Sequence, residues 1–213
     1  MRLFHLSDLH IGKRVNEFSM IEDQKYILEG ILDLAEKEMP DGVILAGDIY
    51  DKQIPSAEAV QVFDEFITKL AERKLPVFVI SGNHDSAERL AFGGRLLKSR
   101  GIYLSPVYDG TVMKIPIADQ YGTVWIHLLP FIRPAAVRRV FEDESDLITD
   151  VQSAVRAVIS HMEIDPNERN ILVAHQFVTG ASRCESEDIQ IGGLDNIDAS
   201  VFEAFDYTAL GHI

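Results

Sequence analysis

Two hydrophobic patterns alternate along the first half of the chain. Leu3–Leu6 is a short apolar run that reads as a strand. Residues 24–37 carry apolar positions at helical spacing, with Ile27, Leu28, Ile31, Leu34 and Ala35 on one face. Gly42–Ala46 is apolar throughout, the pattern of a strand in a sheet covered on both faces. Ser56 can cap a following helix that turns Ala59, Val60, Phe63, Phe66, Ile67 and Leu70 inward and Asp64, Glu65, Lys69 and Glu72 outward. Residues 75–80 predict a third strand, and residues 90–99 a short helix closed by Gly101. Such a β-α-β-α-β-α series predicts parallel strands joined by right-handed crossovers.

Beyond Gly101 the pattern changes. Ile102–Leu104 and residues 112–117 and 123–128 are strand-like, separated by Asp109-Gly110 and Tyr121-Gly122, which predicts antiparallel hairpins. Residues 129–134, Leu-Pro-Phe-Ile-Arg-Pro, form a rigid connector. Residues 146–162 predict an amphipathic helix ending before Asp165-Pro166-Asn167. Residues 170–174 predict a strand that ends on His175, and residues 207–210 a last strand that delivers Gly211-His212. Between them, residues 179–198 are polar and contain glycine, the composition of a long functional loop. The expected architecture is α/β: one domain, a sandwich of two mixed sheets flanked by helices.

Composition narrows the class. A chain of 213 residues can bury one substantial core. No apolar stretch approaches the ~20 residues of a membrane helix, so no membrane association is expected. Residues 1–6 run straight into the first polar motif and read as a strand rather than a signal peptide. Cys184 is the lone cysteine, so no intrachain disulfide is expected, which fits a reducing cytoplasm. The formal charge of −14 sits badly with a protein that grips a nucleic-acid backbone unaided. Carboxylates that hold cations explain part of it. The rest implies that a partner supplies the basic surface.

Five polar motifs each end an apolar run: Asp8-Leu9-His10, Gly47-Asp48, Gly82-Asn83-His84-Asp85, Ala174-His175 and Gly211-His212. Their carboxylates, amide oxygen and imidazoles suit a divalent transition ion. In an open α/β sheet, strand ends of this kind deliver side chains to the edge where ligands bind. Residues two apart on an extended segment point the same way, so Asp8 and His10 can meet one ion. Asp48 is a candidate bridging carboxylate, with Gly47 allowing the sharp turn before it. Asp51 is expected behind the ligands, orienting one of them. Asn83 offers an amide oxygen. His84 projects toward a substrate phosphate, and Asp85 is expected to hold its imidazole in one tautomer. Singly, each motif has an ordinary structural reading: a turn aspartate, or a satisfied rim histidine. His5, His127 and His161, in a strand interior, a hairpin and a helix end, fit that ordinary reading. The sequence has no Walker loop, no Gly-x-Ser-x-Gly elbow, and no histidine beside Cys184 in its charged segment. ATP hydrolysis and serine or cysteine nucleophilic catalysis therefore have no support. What remains is two-metal hydrolysis at phosphorus.

The order of these motifs resembles the calcineurin-like metallophosphoesterase superfamily. Pro130 to Pro134 (Pro-Phe-Ile-Arg-Pro), Gly180-Ala181-Ser182, Ile189 to Leu194 and Asp206 to Ile213 are similar to its DNA-repair nuclease branch, the SbcD family. The resemblance implies a four-layer αββα sandwich with two manganese ions. One ion would take Asp8, His10 and Asp48; the other Asp48, Asn83, His175 and His212; His84 would act on the phosphate. It implies double-strand 3′–5′ exonuclease and single-strand or hairpin endonuclease activity on DNA, in repair and recombination. The implied partner is an SbcC-type coiled-coil ATPase, with the nuclease as a homodimer, cytoplasmic and nucleoid-associated. Lys13, Arg14, Arg89 and Arg133 are candidate contacts to the DNA backbone, although solvated surface charge explains each as well.

The family's last motif carries a second histidine two places after His212, and family members continue into a capping segment and an ATPase-binding tail. Ile213 is the last residue here. The chain is therefore expected to be a nuclease core cut at that motif, with weak or no cleavage. Two other functions stay open. A small-substrate phosphodiesterase, for example one acting on cyclic nucleotides, would use the same metal set. A metal-poor scaffold would have no need of His84 and Asp85. A protein phosphatase fits less well, because Lys52-Gln53 follow Asp51 where that branch has Arg-Gly.

Overall fold

A computed structural model of the chain describes residues 1–179 and 196–212. Most of the expected loop at 179–198, with Cys184 and the segments 180–182 and 189–194, lies outside the described residues, as does Ile213.

In chain order the elements are β1 (Leu3–Leu6), a small hairpin of β2 (Arg14–Val15) and β3 (Phe18–Ser19), α1 (Ile21–Glu38), β4 (Gly42–Ala46), α2 (Ala57–Glu72), β5 (Val77–Ile80), α3 (Ala87–Leu90), α4 (Gly94–Leu97) and β6 (Ile102–Leu104). The second half follows with β7 (Met113–Asp119), β8 (Gly122–Leu129), α5 (Pro134–Val140), α6 (Val151–Ser160), β9 (Arg169–His175) and β10 (Tyr207–Gly211). One sheet has the order β1-β4-β5-β6 and is parallel throughout. The other has the order β10-β9-β8-β7; it is parallel except for the β7–β8 hairpin, so only this sheet is mixed.

Three apolar cores separate four layers, as the αββα expectation requires. Strand alternation sends Val43, Leu45, Val77 and Val79 toward α1 and α2. It sends Ile44, Ala46, Phe78 and Ile80 into the space between the sheets, against Ile126, Leu128, Val173 and Ala209. Leu172 and Ala174 face the opposite way, onto α5 and α6. Because β4 and β5 are covered on both faces, every residue in them is buried. Among the described residues, no helix is long and apolar enough to cross a membrane.

Several elements differ from the expected pattern, each for a physical reason. On α1 the buried stripe is Ile21, Leu28, Leu32 and Ala35, while Ile27 and Leu34 are exposed. The apolar residues span more of the helix than one partner covers, and packing on α2 and the sheet selects the half that is buried. On α2, Val62 takes the inward place expected for Val60; the Ser56 hydroxyl caps it by accepting from the Ala59 amide at 3.1 Å. The helix expected at 90–99 is broken, because Gly93 adopts a left-handed φ of 74° between α3 and α4. Ile102–Leu104 pairs parallel with β5 instead of forming a hairpin. The helix expected at 146–162 begins only at Val151, where Asp150 and Ser153 close a reciprocal capping box.

Candidate metal centre

Parallel strands end at a common edge, and five of them deliver the polar motifs there. Asp8 and His10 follow β1, Asp48 follows β4 and Asn83 to Asp85 follow β5; His175 ends β9 and His212 follows β10. The backbone bends sharply at these points. Asp8, His10, Asp48 and His212 hold left-handed φ values of 55°, 43°, 48° and 66°. Asp and His tolerate this region better than most residues, yet each instance costs on the order of 1–3 kcal/mol. The surrounding hydrogen bonds hold the bends. Asp8 and His10 donate their amides to the Gly47 and Asp48 carbonyls at 3.1 and 2.9 Å. The Asp8 carboxylate accepts from the Ser7 hydroxyl and, at 3.2 Å, from the His212 amide.

Asp48 is the centre of the arrangement. Its Oδ1 accepts from the His84 amide at 2.8 Å. Its Oδ2 lies 3.7 Å from His10 Nε2 and 3.3 Å from His175 Nε2. Among the described residues two clusters have ligand-type atoms within 4.8 Å of one another: His10, Asp48 and His84, and Asp48, His175 and His212. The shared member is Asp48. Asn83 joins the second cluster, its Oδ1 lying 3.0 Å from His175 Nε2.

The donor set fits cations. His175 is fully buried, with Nδ1 2.7 Å from the Ala46 carbonyl oxygen and Nε2 facing the oxygens of Asn83 and Asp48. Both ring nitrogens therefore face acceptors, and a neutral imidazole carries only one proton. A cation opposite Nε2 resolves the conflict. Asp8 Oδ1, 4.0 Å from His10 Nε2, is buried without a hydrogen-bond partner, as is His10 Nδ1. The proton equilibria show the same tension. Burial lowers the pKa of His175, but Asp48, with Asp8 and the Ala46 carbonyl, outweighs it and the net direction is up. Burial raises the pKa of Asp48, and His175 with the His84 amide carries it below the ordinary value. His10 is held down by burial, against the pull of Asp48.

Small residues allow this close approach. A Cβ at Gly82 would fall inside the Asp48 carboxylate, and one at Gly47 inside the His175 ring. The Pro-Phe-Ile-Arg-Pro segment closes the side of the site. Phe131 donates its amide to the Ser81 carbonyl at 2.8 Å and sets its ring edge-on to His175 at 6.4 Å between centroids.

The family model for calcineurin-like phosphoesterases matches residues 1–213. The chain belongs to that family. The expected fold and superfamily stand. Two relatives, each named as the SbcD subunit of the nuclease SbcCD, align over the whole chain. The one from Staphylococcus epidermidis is 36% identical and the one from Staphylococcus saprophyticus 35%, each matched over 56% of its own length. The chain thus spans little more than half of the curated relatives it matches. These relatives bear out the resemblance to the SbcD branch. Among solved structures, the crystal structure of TT1561 of Thermus thermophilus aligns at a TM-score of 0.47 with 12% identity, covering 89% of this chain and 72% of that one.

Within this site, two expected roles change. Asp85 does not touch the His84 imidazole. Its oxygens accept the amides of Ile49, Tyr50 and Gly82 at 3.0, 2.9 and 2.9 Å, which ties the loop after β4 to the loop after β5. Burial raises its pKa despite those three bonds. The His84 ring is oriented by Asp51, whose backbone carbonyl lies 3.1 Å from Nδ1. The Asp51 carboxylate stands 3.9 Å from His10 Nδ1. His84 also packs edge-on against His10, at 4.9 Å between centroids.

Of the four candidate DNA contacts, only Lys13 is close enough to the site to act on His10, whose protonated form it disfavours. Arg14 bonds the Glu17 carbonyl within the β2–β3 hairpin, Arg133 lies over Phe131, and Arg89 is exposed at the end of α3. His5, His127 and His161 have structural partners in Tyr207 and Leu210, Asn170, and Glu144 respectively. Ser7 was not singled out from sequence. Its position next to Asp8 was the available signal.

Proposed function

We propose that residues 1–213 form the catalytic domain of a two-metal DNA nuclease of the SbcD type. The observation that carries this reading is the Asp48 carboxylate shared between the His10 and His175 sides of the site. Asp8, His10 and Asp48 would hold one divalent ion, and Asp48, Asn83, His175 and His212 the other. Manganese suits a set of imidazole and oxygen donors without thiolate. Bound there, two such ions would supply Lewis-acid activation of a water and charge stabilisation for displacement at phosphorus.

The remaining chemistry belongs to the chain. His84, exposed at the rim and oriented by the Asp51 carbonyl, donates a hydrogen bond or proton to the phosphate as charge builds. Phe131 shields His175 from solvent on one side. Lys13 is the basic group best situated to meet a backbone phosphate. Asp85 acts indirectly, by fixing the loops that carry Asp48 and His84.

DNA as substrate is supported by the relatives' names and by the Pro-Phe-Ile-Arg-Pro segment built into the site. The finer activities follow the same reading: 3′–5′ exonuclease on duplex ends and endonuclease on single strands and hairpins. So do an SbcC-type ATPase as partner, a homodimer, and a place in the cytoplasm at the nucleoid. The charge of −14 favours a partner that brings the basic surface. The experiment is cleavage of an end-labelled DNA hairpin and of a cyclic nucleotide, with and without manganese. Weak manganese-dependent cleavage of the hairpin, with none of the cyclic nucleotide, is expected. Hydrolysis of the cyclic nucleotide alone would move the substrate to small phosphodiesters.

A further inference from the structure

The loop that carries Asp8 and His10 is held by hydrogen bonds on two sides, and a single side chain supplies one of them. On its inner side, the amides of Asp8, His10 and Ile11 donate to the carbonyls of Gly47, Asp48 and Ile49 at 3.1, 2.9 and 2.9 Å, and the Ile11 carbonyl accepts from Asp51. That leaves the Leu9 carbonyl and the Gly12 amide facing α1, beside the His10 carbonyl, which also accepts the Lys13 amide at 3.0 Å. Gln24, on the first turns of α1, meets all three. Its Nε2 donates to the Leu9 carbonyl at 3.1 Å and to the His10 carbonyl at 2.8 Å, while its Oε1 accepts the Gly12 amide at 2.9 Å.

A primary amide suits this task because it carries two donors and an acceptor on one planar group. Glutamate of the same length offers acceptors only, and asparagine is a methylene shorter. Leu9 and Ile11 also pack on the core that includes Leu28 and Leu32 of α1. An open cavity of about 240 Å³, lined by Asp8, Leu9, Ile11, Gln24, Ile27 and Leu28 among others, lies along the face of the loop that Gln24 holds. The left-handed bends at Asp8 and His10 are thus held by hydrogen bonds from both sides, together with the packing of Leu9 and Ile11 on the core.

We propose that Gln24 is a positioning residue for the phosphoesterase reaction, its amide setting the backbone shape through which Asp8 and His10 present their ligand atoms. This rests on the metal-centre reading of those two residues. It predicts a defect in metal affinity first and in turnover second, because nothing in Gln24 reaches the reacting atoms. Residues that orient metal ligands typically contribute roughly 10–100-fold to metal affinity.

The test compares wild type with Gln24→Met, which keeps length and loses all three hydrogen bonds, and Gln24→Glu, which keeps the acceptor for Gly12. Asp33→Asn, exposed on the same helix and outside that cavity, is the control. Three quantities are read: hydrogen exchange at residues 8–13, manganese affinity from the electron paramagnetic resonance of the free ion, and hydrolysis of bis(p-nitrophenyl) phosphate against manganese concentration. Gln24→Met is expected to exchange faster at Gly12, to bind manganese roughly 10–100-fold more weakly, and to regain most of its rate at saturating metal. Gln24→Glu is expected to retain protection at Gly12 and to bind manganese more weakly than wild type; it carries the test if Gln24→Met does not fold. Wild-type affinity in Gln24→Met, or in a folded Gln24→Glu should the former be unfolded, overturns the proposal alone. A wild-type chain that binds no manganese overturns the reading of the site and this inference with it.

Discussion

Asp48 Oδ2 and His175 Nε2 stand 3.3 Å apart, in a pocket where the other nitrogen of that ring already faces the Ala46 carbonyl. The pair connects the two sheets: Asp48 follows β4 in the parallel sheet and His175 ends β9 in the mixed one. The site exists only where these two edges meet.

Filling the site with manganese should stabilise the fold. At about 100 times the dissociation constant, binding contributes about 2.7 kcal/mol. For a chain of this size that corresponds to a rise in Tm of roughly 5–10 °C. Thermal unfolding with manganese and after chelation measures it. Asp48→Asn should lose most of the rise and reduce hydrolysis at least ~100-fold, by analogy with other preorganised electrostatic groups. A full rise in that variant would exclude Asp48 as the shared ligand.

Two glycine substitutions should act in opposite directions. Gly82→Ala places a methyl group on the Asp48 carboxylate. It should cost about 1–3 kcal/mol of stability, by overpacking, and lower manganese affinity as well. Gly30, in the middle of α1, has open space where its Cβ would be. Gly30→Ala should stabilise by about 0.5–1 kcal/mol with no change in activity. Urea unfolding midpoints distinguish the two.

His127 gives a pH signature remote from the metal centre. Burial holds its pKa below the ordinary histidine value, and its Nε2–H donates to Asn170 Oδ1 at 3.0 Å. The unfolded chain therefore binds a proton that the folded chain resists. Its contribution to stability is complete above the unfolded pKa of about 6.5 and is lost as pH falls through that value toward the folded one. His127→Gln keeps an amide donor and removes the titration. Its stability should fall less between about pH 7.5 and 5.5, a window that brackets the unfolded value, than that of wild type in chelator. Equal slopes would show that His127 contributes nothing to the pH dependence.

The Arg169 guanidinium grips Asp119 with two bonds, at 3.1 and 2.7 Å, and a third bond reaches the Gly122 carbonyl. This fork pins the β7–β8 hairpin to the start of β9 and holds the Asp119 carboxyl well below the usual carboxylate range. The sign follows from a depressed folded pKa. The stabilisation is present above the unfolded value of about 3.9 and disappears as pH falls through the folded one. Arg169→Lys keeps the charge and loses the fork. It should lower the unfolding midpoint near neutral pH, with the difference from wild type shrinking as the solution is acidified below the ordinary carboxylate range. A difference that grows on acidification would contradict the assignment.

Much of the site was legible because parallel strands have only one edge at which to deliver their C-terminal residues. Asp8, Asp48, Asn83, His175 and His212 each follow an apolar run, so their convergence follows from the topology. The ordinary fate of His5, His127 and His161 was also legible, since none had ligand-type neighbours in sequence. The role of Asp85 was not. Its position beside His84 in sequence suggested a side-chain bond, whereas the turn sends its carboxylate under the loop after β4, to the amides of Ile49 and Tyr50 far back in the chain.

The order of strands and helices, the positions of the metal-type side chains and the need for glycine beside them are local consequences of hydrophobic period and residue chemistry, and the sequence determined them alone. Tertiary structure decided which half of the α1 apolar stripe is buried, how Gln24 reaches the Asp8–His10 loop, and which group orients His84. Those outcomes depend on contacts between residues distant in the chain, where the packing of whole layers, rather than any local preference, selects among several arrangements that the same sequence pattern permits.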